Sequence, residues 1–254
     1  MNKHDIIKRI KKIIVGDTEQ YNFNNNRLRF LTGSRPIKRK YVNADSDVVR
    51  NDVLQINYME ENFKETDILW DIGSHYGHYA IFAASIAKGN GQVFSFEPDA
   101  VARKIQERNI ELNSFSDKIT IFSDAVSNTN GVLYFKELGG NSNSHIVKTD
   151  PLTDDHINSV NSVTLDSLAE KLACPTFVKI DTEGAEIDIL SKAGSLLKNK
   201  NVQFICELHP FAWDAFNVKY ETFTNLLKEH GRAITLLDTN KHITGLPFYG
   251  TVLF

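Results

Sequence analysis

The sequence contains little cysteine and no long apolar segment. Cys174 and Cys206 are the only cysteines in 254 residues, and each lies in or next to an apolar strand pattern. This favours two reduced, mostly buried thiols. No apolar run approaches the roughly 20 residues that a bilayer span requires. We therefore expect a soluble, cytoplasmic protein.

The sequence also lacks a large excess of positive or negative charge. The chain has 29 basic and 32 acidic residues, which gives a formal net charge of -3. This balance lacks the basic excess that long polyanion binding usually brings, so we expect no nucleic-acid partner. With 41% hydrophobic residues, the chain can bury one substantial core.

The first 46 residues differ in composition from the rest. Isoleucines recur at helical spacing among basic side chains in MNKHDIIKRIKKIIVG, which predicts a basic helix. That helix either docks on its own domain or contacts a membrane surface or a partner. Residues 21–41 are rich in Asn and Arg and predict an irregular arm, either solvated or facing an anionic substrate or acidic lipid. We expect the main domain to span 47–254.

Strand and helix patterns alternate through this main domain. The predicted strands are Ile68–Ile72, Gln92–Phe96, Ile119–Phe122, Phe177–Ile180, Phe204–Cys206 and Ile234–Leu237. The predicted helices are Asp52–Phe63, Tyr79–Ala87, Ala100–Leu112, Asp166–Leu172, Ala185–Leu197 and Tyr220–His230. Such alternation indicates an α/β fold with a doubly wound, mostly parallel sheet. The final FYGTVLF predicts an antiparallel strand at or near an edge.

The segment from 124 to 163 interrupts this alternation. It contains a predicted hairpin strand at Val132–Phe135 and then the polar run GGNSNSH, from Gly139 to His145. Long loops of this kind tend to be functional or disordered. The run is either a lid over the substrate or an ordinary surface loop.

Two strand-to-helix turns, DILWDIGSHYG and VKIDTEGAE, predict one ligand-binding crevice, because ligands bind outside the carboxyl ends of parallel strands. In the first turn, Asp71, Gly73 and Gly77 form DxGxxxG, where glycines let the backbone approach a ligand. Asp71 would place negative charge beside a cationic cofactor. Glu97 ends the next strand, where a carboxylate can accept hydrogen bonds from both ribose hydroxyls of a nucleoside. Asp124, after the third strand, lies near the nucleobase or is simply a turn residue.

The ordered series DIGSHYGHYA, FSFEPD, SVTLDSLA, VKIDTEGAE and CELHP resembles the FkbM family of S-adenosylmethionine-dependent methyltransferases. The resemblance runs from about Asp47 to the C-terminus. It implies a class I methyltransferase fold, S-adenosylmethionine as the methyl donor and O-methylation of a hydroxyl, often on a sugar, glycan or secondary metabolite. Members usually carry DIGANxG where this chain has Ser74 and His75, so we expect these two residues to make cofactor contacts of their own.

Methyl transfer to a hydroxyl requires in-line alignment and removal of a proton. If the strands before Asp181 and Glu207 are neighbours, then Asp181, Glu183, Glu207 and His209 converge on the acceptor. His209 has the ordinary pKa best suited to a base near neutrality. Alternatively, Glu207 and His209 form a structural pair, and the other two acids bind substrate hydroxyls or begin the next helix.

The same acids and imidazole could also hold Mg²⁺ or Mn²⁺ and orient a diol, although this ligand set is not diagnostic. Two other classes of function stay open. A nicotinamide-dependent oxidoreductase is disfavoured because DxGxxxG replaces GxGxxG. A non-catalytic S-adenosylmethionine-binding module is disfavoured by the presence of Asp71, Glu97, Asp181 and Glu183.

Overall fold

The computed structural model of the protein describes residues 17–37, 46–148, 156–238 and 249–254. In those ranges no helix combines the length and apolar character needed to cross a bilayer. The basic helix predicted near the N-terminus lies outside the described residues.

The described residues contain three β-sheets and seven α-helices. The strands are β1 (Thr18–Phe23), β2 (Asn26–Leu31), β3 (Ile68–Ile72), β4 (Gln92–Phe96), β5 (Ile119–Phe122), β6 (Ala125–Val126), β7 (Gly131–Lys136), β8 (His145–Val147), β9 (Ile157–Val163), β10 (Phe177–Ile180), β11 (Gln203–Leu208), β12 (Thr235–Leu236) and β13 (Gly250–Leu253). The helices are α1 (Asp47–Asn62), α2 (His78–Ile86), α3 (Ala100–Leu112), α4 (Leu165–Ala169), α5 (Glu186–Leu190), α6 (Gly194–Lys198) and α7 (Tyr220–Glu229), with a 3₁₀ helix at Pro210–Phe216.

The central sheet has seven strands in the order β12-β13-β11-β10-β3-β4-β5. The five strands from β11 to β5 are parallel, whereas β13 runs antiparallel to both β11 and β12. The chain passes from β3 to β4 and β5 on one side, and later forms β10 and β11 on the other side. Strand order therefore reverses beside β3, and a crevice opens where β3 and β10 end. The predicted fold class and antiparallel last strand are confirmed.

Both faces of the central sheet are covered, as a parallel sheet requires. Along β3, Leu69 packs with Phe82 of α2 on one face. The next residue, Trp70, packs with Phe96 of β4 on the opposite face. This alternation places Asp71 on the α2 side, and its carboxylate is fully buried.

A β-hairpin over residues 18–31 overlaps the arm predicted to be irregular, so that prediction is wrong for residues 21–31. Asn24 and Asn25 form its turn with φ angles of 44° and 62°, a conformation that Asn adopts readily in two-residue hairpins. Phe23 stacks on Phe82 with 4.3 Å between ring centroids. The apolar residues that face the core occur at every second position, a strand pattern obscured by the many Asn and Arg between them.

The helix predicted over 185–197 is instead two short helices, α5 and α6. Asp166 accepts hydrogen bonds from the backbone N–H groups of Gly194 (3.2 Å) and Ser195 (2.9 Å), which caps a new helix start at that point. The other predicted elements are present, with some ends displaced by a few residues. The described part of the 124–163 insertion forms a separate sheet in the order β6-β9-β7-β8.

Candidate functional site

A cavity of about 280 Å³ lies at the carboxyl ends of β3, β4 and β10, close to the lower limit for small-molecule sites. The predicted site residues that line it are Gly73, Ser74, His75, Glu97, Asp181 and Glu183. Four other predicted site residues do not line the cavity but lie behind or beside the residues that do: Asp71, Gly77, Glu207 and His209. The topology therefore brings both predicted turns to one cavity.

Gly73 directly follows β3 and lies against the backbone of Asp181, which directly follows β10. Its φ is +75°, and a Cβ atom added there would lie 1.9 Å from the carbonyl oxygen of Asp181. The N–H groups of Gly73 and Ser74 both donate to the carbonyl of Phe96, at 3.0 and 3.1 Å. Gly77 begins α2 with φ +78°, and a Cβ there would lie 2.7 Å from Gln106 Cγ. The glycines thus permit close packing of backbone and helix around the cavity.

The side-chain carboxyl group of Glu97 lines the cavity and is fixed by two backbone N–H groups. Its Oε2 accepts the backbone N–H of His75 and its Oε1 that of Asp99, each at 2.7 Å. Burial raises the pKa of Glu97 to about 8, although these two hydrogen bonds lower it. Each oxygen keeps a further lone pair, so this group can still bind two hydroxyls of a ligand.

His75 connects the glycine turn to the GGNSNSH loop. It adopts φ 49° and stacks on Tyr76 with 3.7 Å between ring centroids. Burial lowers its pKa, so the neutral ring can donate its Nε2–H to the carbonyl of Gly140 at 3.0 Å. The hydroxyl of Tyr76 donates to the same carbonyl at 2.6 Å.

Asp99 ties the same loop to the start of α3. Its Oδ1 accepts the N–H groups of Val101 and Ala102, and its Oδ2 accepts the Gly140 N–H at 3.1 Å and the Ser144 hydroxyl at 2.8 Å. Because the loop also contributes to the cavity wall, it is placed as a lid would be. Its mobility remains a prediction.

Ser144→Ala is expected to loosen this loop. The Ser144 hydroxyl donates to the buried carboxylate of Asp99 and accepts the N–H of Leu138 at 3.0 Å. Loss of these two hydrogen bonds should cost at least about 1.5 kcal/mol of local stability, or roughly tenfold in the opening equilibrium. Hydrogen exchange of the loop amides, followed by mass spectrometry, should therefore accelerate by about that factor. The control is Ser142→Ala, because the Ser142 side chain contacts the cavity without a hydrogen bond to the described residues. Equal exchange in both variants would contradict the tether.

Lys179 is a buried cation that the sequence analysis did not select. Its Nζ lies 3.0 Å from Asp181 Oδ2 and 4.4 Å from the ring centroid of Tyr79. Burial lowers its pKa, but the charges of Asp181 and Asp71 raise it by more, so the ammonium stays charged. Burial raises the pKa of Asp71 to about 6, which the charge of Lys179 opposes. The sequence signal that could have identified Lys179 is its position inside an otherwise apolar strand, VKI.

The acids around Lys179 have pKa values that are shifted in opposite directions. Burial would raise the pKa of Asp181, but Lys179 and His209 bring it below its ordinary value. Burial, with neighbouring carboxylates, raises the pKa of Glu183 to about 7 and that of Asp52, on α1, to about 7. Asp52 lines the cavity, and nothing in its helical sequence context indicated this.

His209 lies at the end of β11 and is bonded to a residue the sequence analysis missed. Its Nδ1 lies 2.9 Å from Glu186 Oε1, whereas its Nε2 is 3.9 Å from Glu207 Oε1. Burial lowers its pKa, but the hydrogen bond and charge of Glu186, with Asp181 and Glu207, raise it to about 10. His209 is therefore protonated near pH 7 in this arrangement, and its role as a general base stays a prediction.

The carboxyl group of Glu207 accepts hydrogen bonds from two segments that are distant in the sequence. Its Oε1 accepts the hydroxyl of Tyr249 at 2.6 Å, and its Oε2 accepts Nε2 of Gln55 at 2.7 Å. Burial raises its pKa. The alternative of a structural pair of Glu207 with His209 stays open, because Nε2 of His209 lies 3.9 Å from Glu207 Oε1, although the two side chains have different hydrogen-bond partners.

Asp124 does not reach the cavity. It follows β5 and is half-buried, whereas the next two residues, Ala125 and Val126, contribute to the wall. The chain turns into β6 at this point, and small apolar side chains rather than the carboxylate face inward. The structure therefore favours the turn role for Asp124.

The chain is similar in sequence or fold to known methyltransferases. The hexuronic acid methyltransferase AglP of Haloferax volcanii is 27% identical over 161 residues, covering 61% of this chain and 61% of that protein. The chain thus matches under two thirds of the length of that relative. The structure of methyltransferase FkbM from Methylobacillus flagellatus KT has a TM-score of 0.51 at 18% identity, covering 83% of this chain and 55% of that one. A precorrin-6y C5,15-methyltransferase from Geobacter metallireducens GS-15 reaches 0.43 at 14% identity, covering 83% and 91%.

The class I methyltransferase fold implied by the sequence resemblance is confirmed. The model of the methyltransferase FkbM domain matches residues 71–234. This range includes the glycine turn, Glu97 and the cluster around His209, and it covers more than half of the chain. The chain belongs to the FkbM methyltransferase family.

Proposed function

We propose that the chain is an S-adenosylmethionine-dependent O-methyltransferase that acts on a hydroxyl, most readily that of a sugar or glycan, with a secondary metabolite as the other acceptor class. The observation that carries the proposal is the shared cavity. Glu97 faces it from one strand end, and Asp181 and Glu183 face it from another. One side suits a nucleoside and the other suits a hydroxylated acceptor.

The residues present fit S-adenosylmethionine. Glu97, with Ser74 and His75 beside it, would hold the ribose. Tyr79 Oη and Thr182 Oγ1 are buried without a hydrogen-bond partner among the described residues, and both residues line the cavity. Such atoms take a polar partner, which the polar groups of a bound cofactor would supply. When bound, the cofactor supplies an electrophilic methyl group on a cationic sulfur, which a wall rich in carboxylates favours.

The acceptor would bind at the Asp181 and Glu183 side of the cavity. Their carboxylates accept hydrogen bonds from hydroxyls and orient one oxygen for attack, and alignment of this kind supplies much of the rate. With the cofactor bound, the hydroxyl oxygen would take the methyl group as the C–S bond breaks and leaves an uncharged thioether, and a carboxylate of the cluster would accept the hydroxyl proton. Glu207 and His209 lie behind these acids and hold the charge pattern in place.

Sugars are the first acceptors to test because the family relative AglP acts on a hexuronic acid. A uronic acid offers hydroxyls and a carboxylate, and the acidic cavity wall favours the uncharged hydroxyl. Labelled S-adenosylmethionine with neutral and acidic sugars would identify the acceptor. An alkali-stable label indicates the methyl ether that we expect, whereas an alkali-labile label indicates a methyl ester.

Family membership favours methyl transfer over the nicotinamide-dependent oxidoreductase. A calorimetric comparison of NAD with S-adenosylmethionine separates the two. The non-catalytic module would bind the cofactor and transfer no methyl group to any acceptor. Contact with a membrane or partner through the basic N-terminal segment also stays a proposal, testable by deletion of residues 1–16 and vesicle sedimentation.

Glu97→Ala is expected to weaken S-adenosylmethionine binding strongly. Because burial raises the pKa of Glu97 to about 8, the group is largely a neutral carboxyl near pH 7, and loss of its hydrogen bonds to the ligand should cost about 1–3 kcal/mol in all, or roughly 5- to 150-fold in Kd. Isothermal calorimetry measures this, and Glu107→Ala, on the exposed face of α3, is the control. Parental affinity in Glu97→Ala would remove this residue from the cofactor site.

A further inference from the structure

The imidazole of His209 faces an acidic cage without forming a hydrogen bond there. Its Nε2 lies 3.8 Å from Asp181 Oδ1 and 3.9 Å from Glu183 Oε2. These separations exceed the roughly 2.7–3.2 Å of an N–H···O hydrogen bond. The side chain is nevertheless only 4% exposed. A buried ring nitrogen that points at carboxylates without bonding them leaves space for a cation between them.

The spacing matches ligands around a single ion. One atom each from Asp181, Glu183 and His209 lie within 4.8 Å of one another. Two atoms bound to one divalent cation at about 2.1–2.3 Å lie about 3.0–4.6 Å apart, depending on the angle between them. The separations of 3.8 and 3.9 Å fall inside this range. A small rotation of the Asp181 or Glu183 side chain would bring the most widely separated pair of ligand atoms into this range.

Glu186 holds the imidazole in the orientation that a metal ligand needs. Its Oε1 lies 2.9 Å from Nδ1 of His209 and also accepts the Gly184 N–H at 2.8 Å. Its Oε2 accepts Nε1–H of Trp213 at 3.0 Å, and the residue is fully buried. When the imidazole donates Nδ1–H to this carboxylate, Nε2 is left as the coordinating nitrogen, the usual arrangement behind metal-bound histidines.

We propose that Asp181, Glu183 and His209 bind one divalent cation of the Mn²⁺ type in the wall of the cavity. Carboxylate oxygens suit Mg²⁺, Ca²⁺ and Mn²⁺, and an imidazole nitrogen adds preference for a transition metal, so Mn²⁺ fits both ligand types. The two acids line the cavity, so the remaining coordination positions open into it. Two adjacent positions fit a vicinal diol, the arrangement found in sugars. The diol inference rests on the proposed function, whereas cation binding does not.

The test uses the full-length chain, freed of metal by chelator and titrated with Mn²⁺ without cofactor or acceptor. Electron paramagnetic resonance should show one bound Mn²⁺ per chain, and pulsed measurements should show coupling to one ¹⁴N nucleus. Glu183→Gln should weaken binding at least about 100-fold, since even outer-shell partners contribute about 10–100-fold. His209→Gln should also abolish the ¹⁴N coupling. The control is Asp52→Asn, which removes an acid from the same wall outside the trio and should change Kd by less than about fivefold.

Binding weaker than millimolar, binding without ¹⁴N coupling, or equal loss in Glu183→Gln and Asp52→Asn would each overturn the cation site. Its failure differs from failure of the proposed function. If Mn²⁺ binds as described and no sugar is methylated, the cation site stands and the acceptor class falls. If chelator-treated enzyme methylates sugars at the parental rate and binds no Mn²⁺, the function stands and the cation site falls.

Discussion

Gly73→Ala is expected to destroy cofactor binding and to destabilise the fold. The new Cβ would lie 1.9 Å from the carbonyl oxygen of Asp181, so the ends of β3 and β10 must separate. Overpacking costs about 1–3 kcal/mol, and a left-handed backbone adds about 1–2 kcal/mol for a residue with a Cβ. Urea denaturation should show a loss of about 2–5 kcal/mol in the free energy of unfolding.

Gly89→Ala separates the clash from the backbone strain. Gly89 also has a positive φ, +58°, but a Cβ there would meet nothing within 4 Å. We expect only the strain, about 1–2 kcal/mol, and unchanged affinity for S-adenosylmethionine. Equal destabilisation by the two substitutions would show that the close approach of β3 and β10 has no energetic role.

Lys179→Met is expected to lower the free energy of unfolding by about as much as Gly73→Ala does, but through lost electrostatic interaction rather than through packing. The ammonium is 1% exposed and pairs with Asp181 Oδ2 at 3.0 Å. Removal of one member of a buried ion pair costs about 3–5 kcal/mol, because it leaves an uncompensated charge. The methionine keeps most of the volume, so the loss measures electrostatics. Lys88→Met is the control, because Lys88 forms a pair with Glu65 on the surface and surface pairs contribute about 0–1 kcal/mol.

The effect of Lys179→Met should depend on pH. Without the ammonium, the pKa of Asp71, already raised to about 6 by burial, should rise further. An acid whose pKa is higher in the folded state than in the unfolded state binds more protons when folded, so stability falls as pH rises between those two values. The deficit relative to the parent should therefore be larger at pH 8 than at pH 5. A deficit independent of pH would indicate lost packing instead.

The central sheet was predictable because its signals are local. Strands β3, β4, β5 and β10 have the bounds that their apolar runs predict, since strands buried on both faces read as continuous apolar segments. The hairpin over 18–31 was not recognised, because its alternation of apolar and polar residues is interrupted by charged and amide side chains. The helix break before Gly194 was hidden for a different reason. Its cause is Asp166, which lies in another helix.

Part of the site was equally predictable. Glu97, Asp181 and Glu183 follow buried strands, and parallel strands bring their carboxyl ends to one edge, so these acids had to meet. Their protonation did not follow from the sequence. Glu183 and Asp181 are two residues apart, yet the pKa of one is raised and that of the other lowered. Burial and the position of Lys179 decide between them.

The sequence by itself determined the fold class and the edge of the sheet where the chemistry lies, because periodicity, glycine turns and strand ends depend on residues close in the chain. The family followed from the resemblance of its ordered motifs. Only the tertiary structure decided that Glu186 holds His209, that Tyr249 and Gln55 hold Glu207, and that Asp52 joins the wall from α1. Desolvation and charge coupling act through space, the latter over distances of roughly 10 Å. They are therefore set by which distant segments the fold brings into contact.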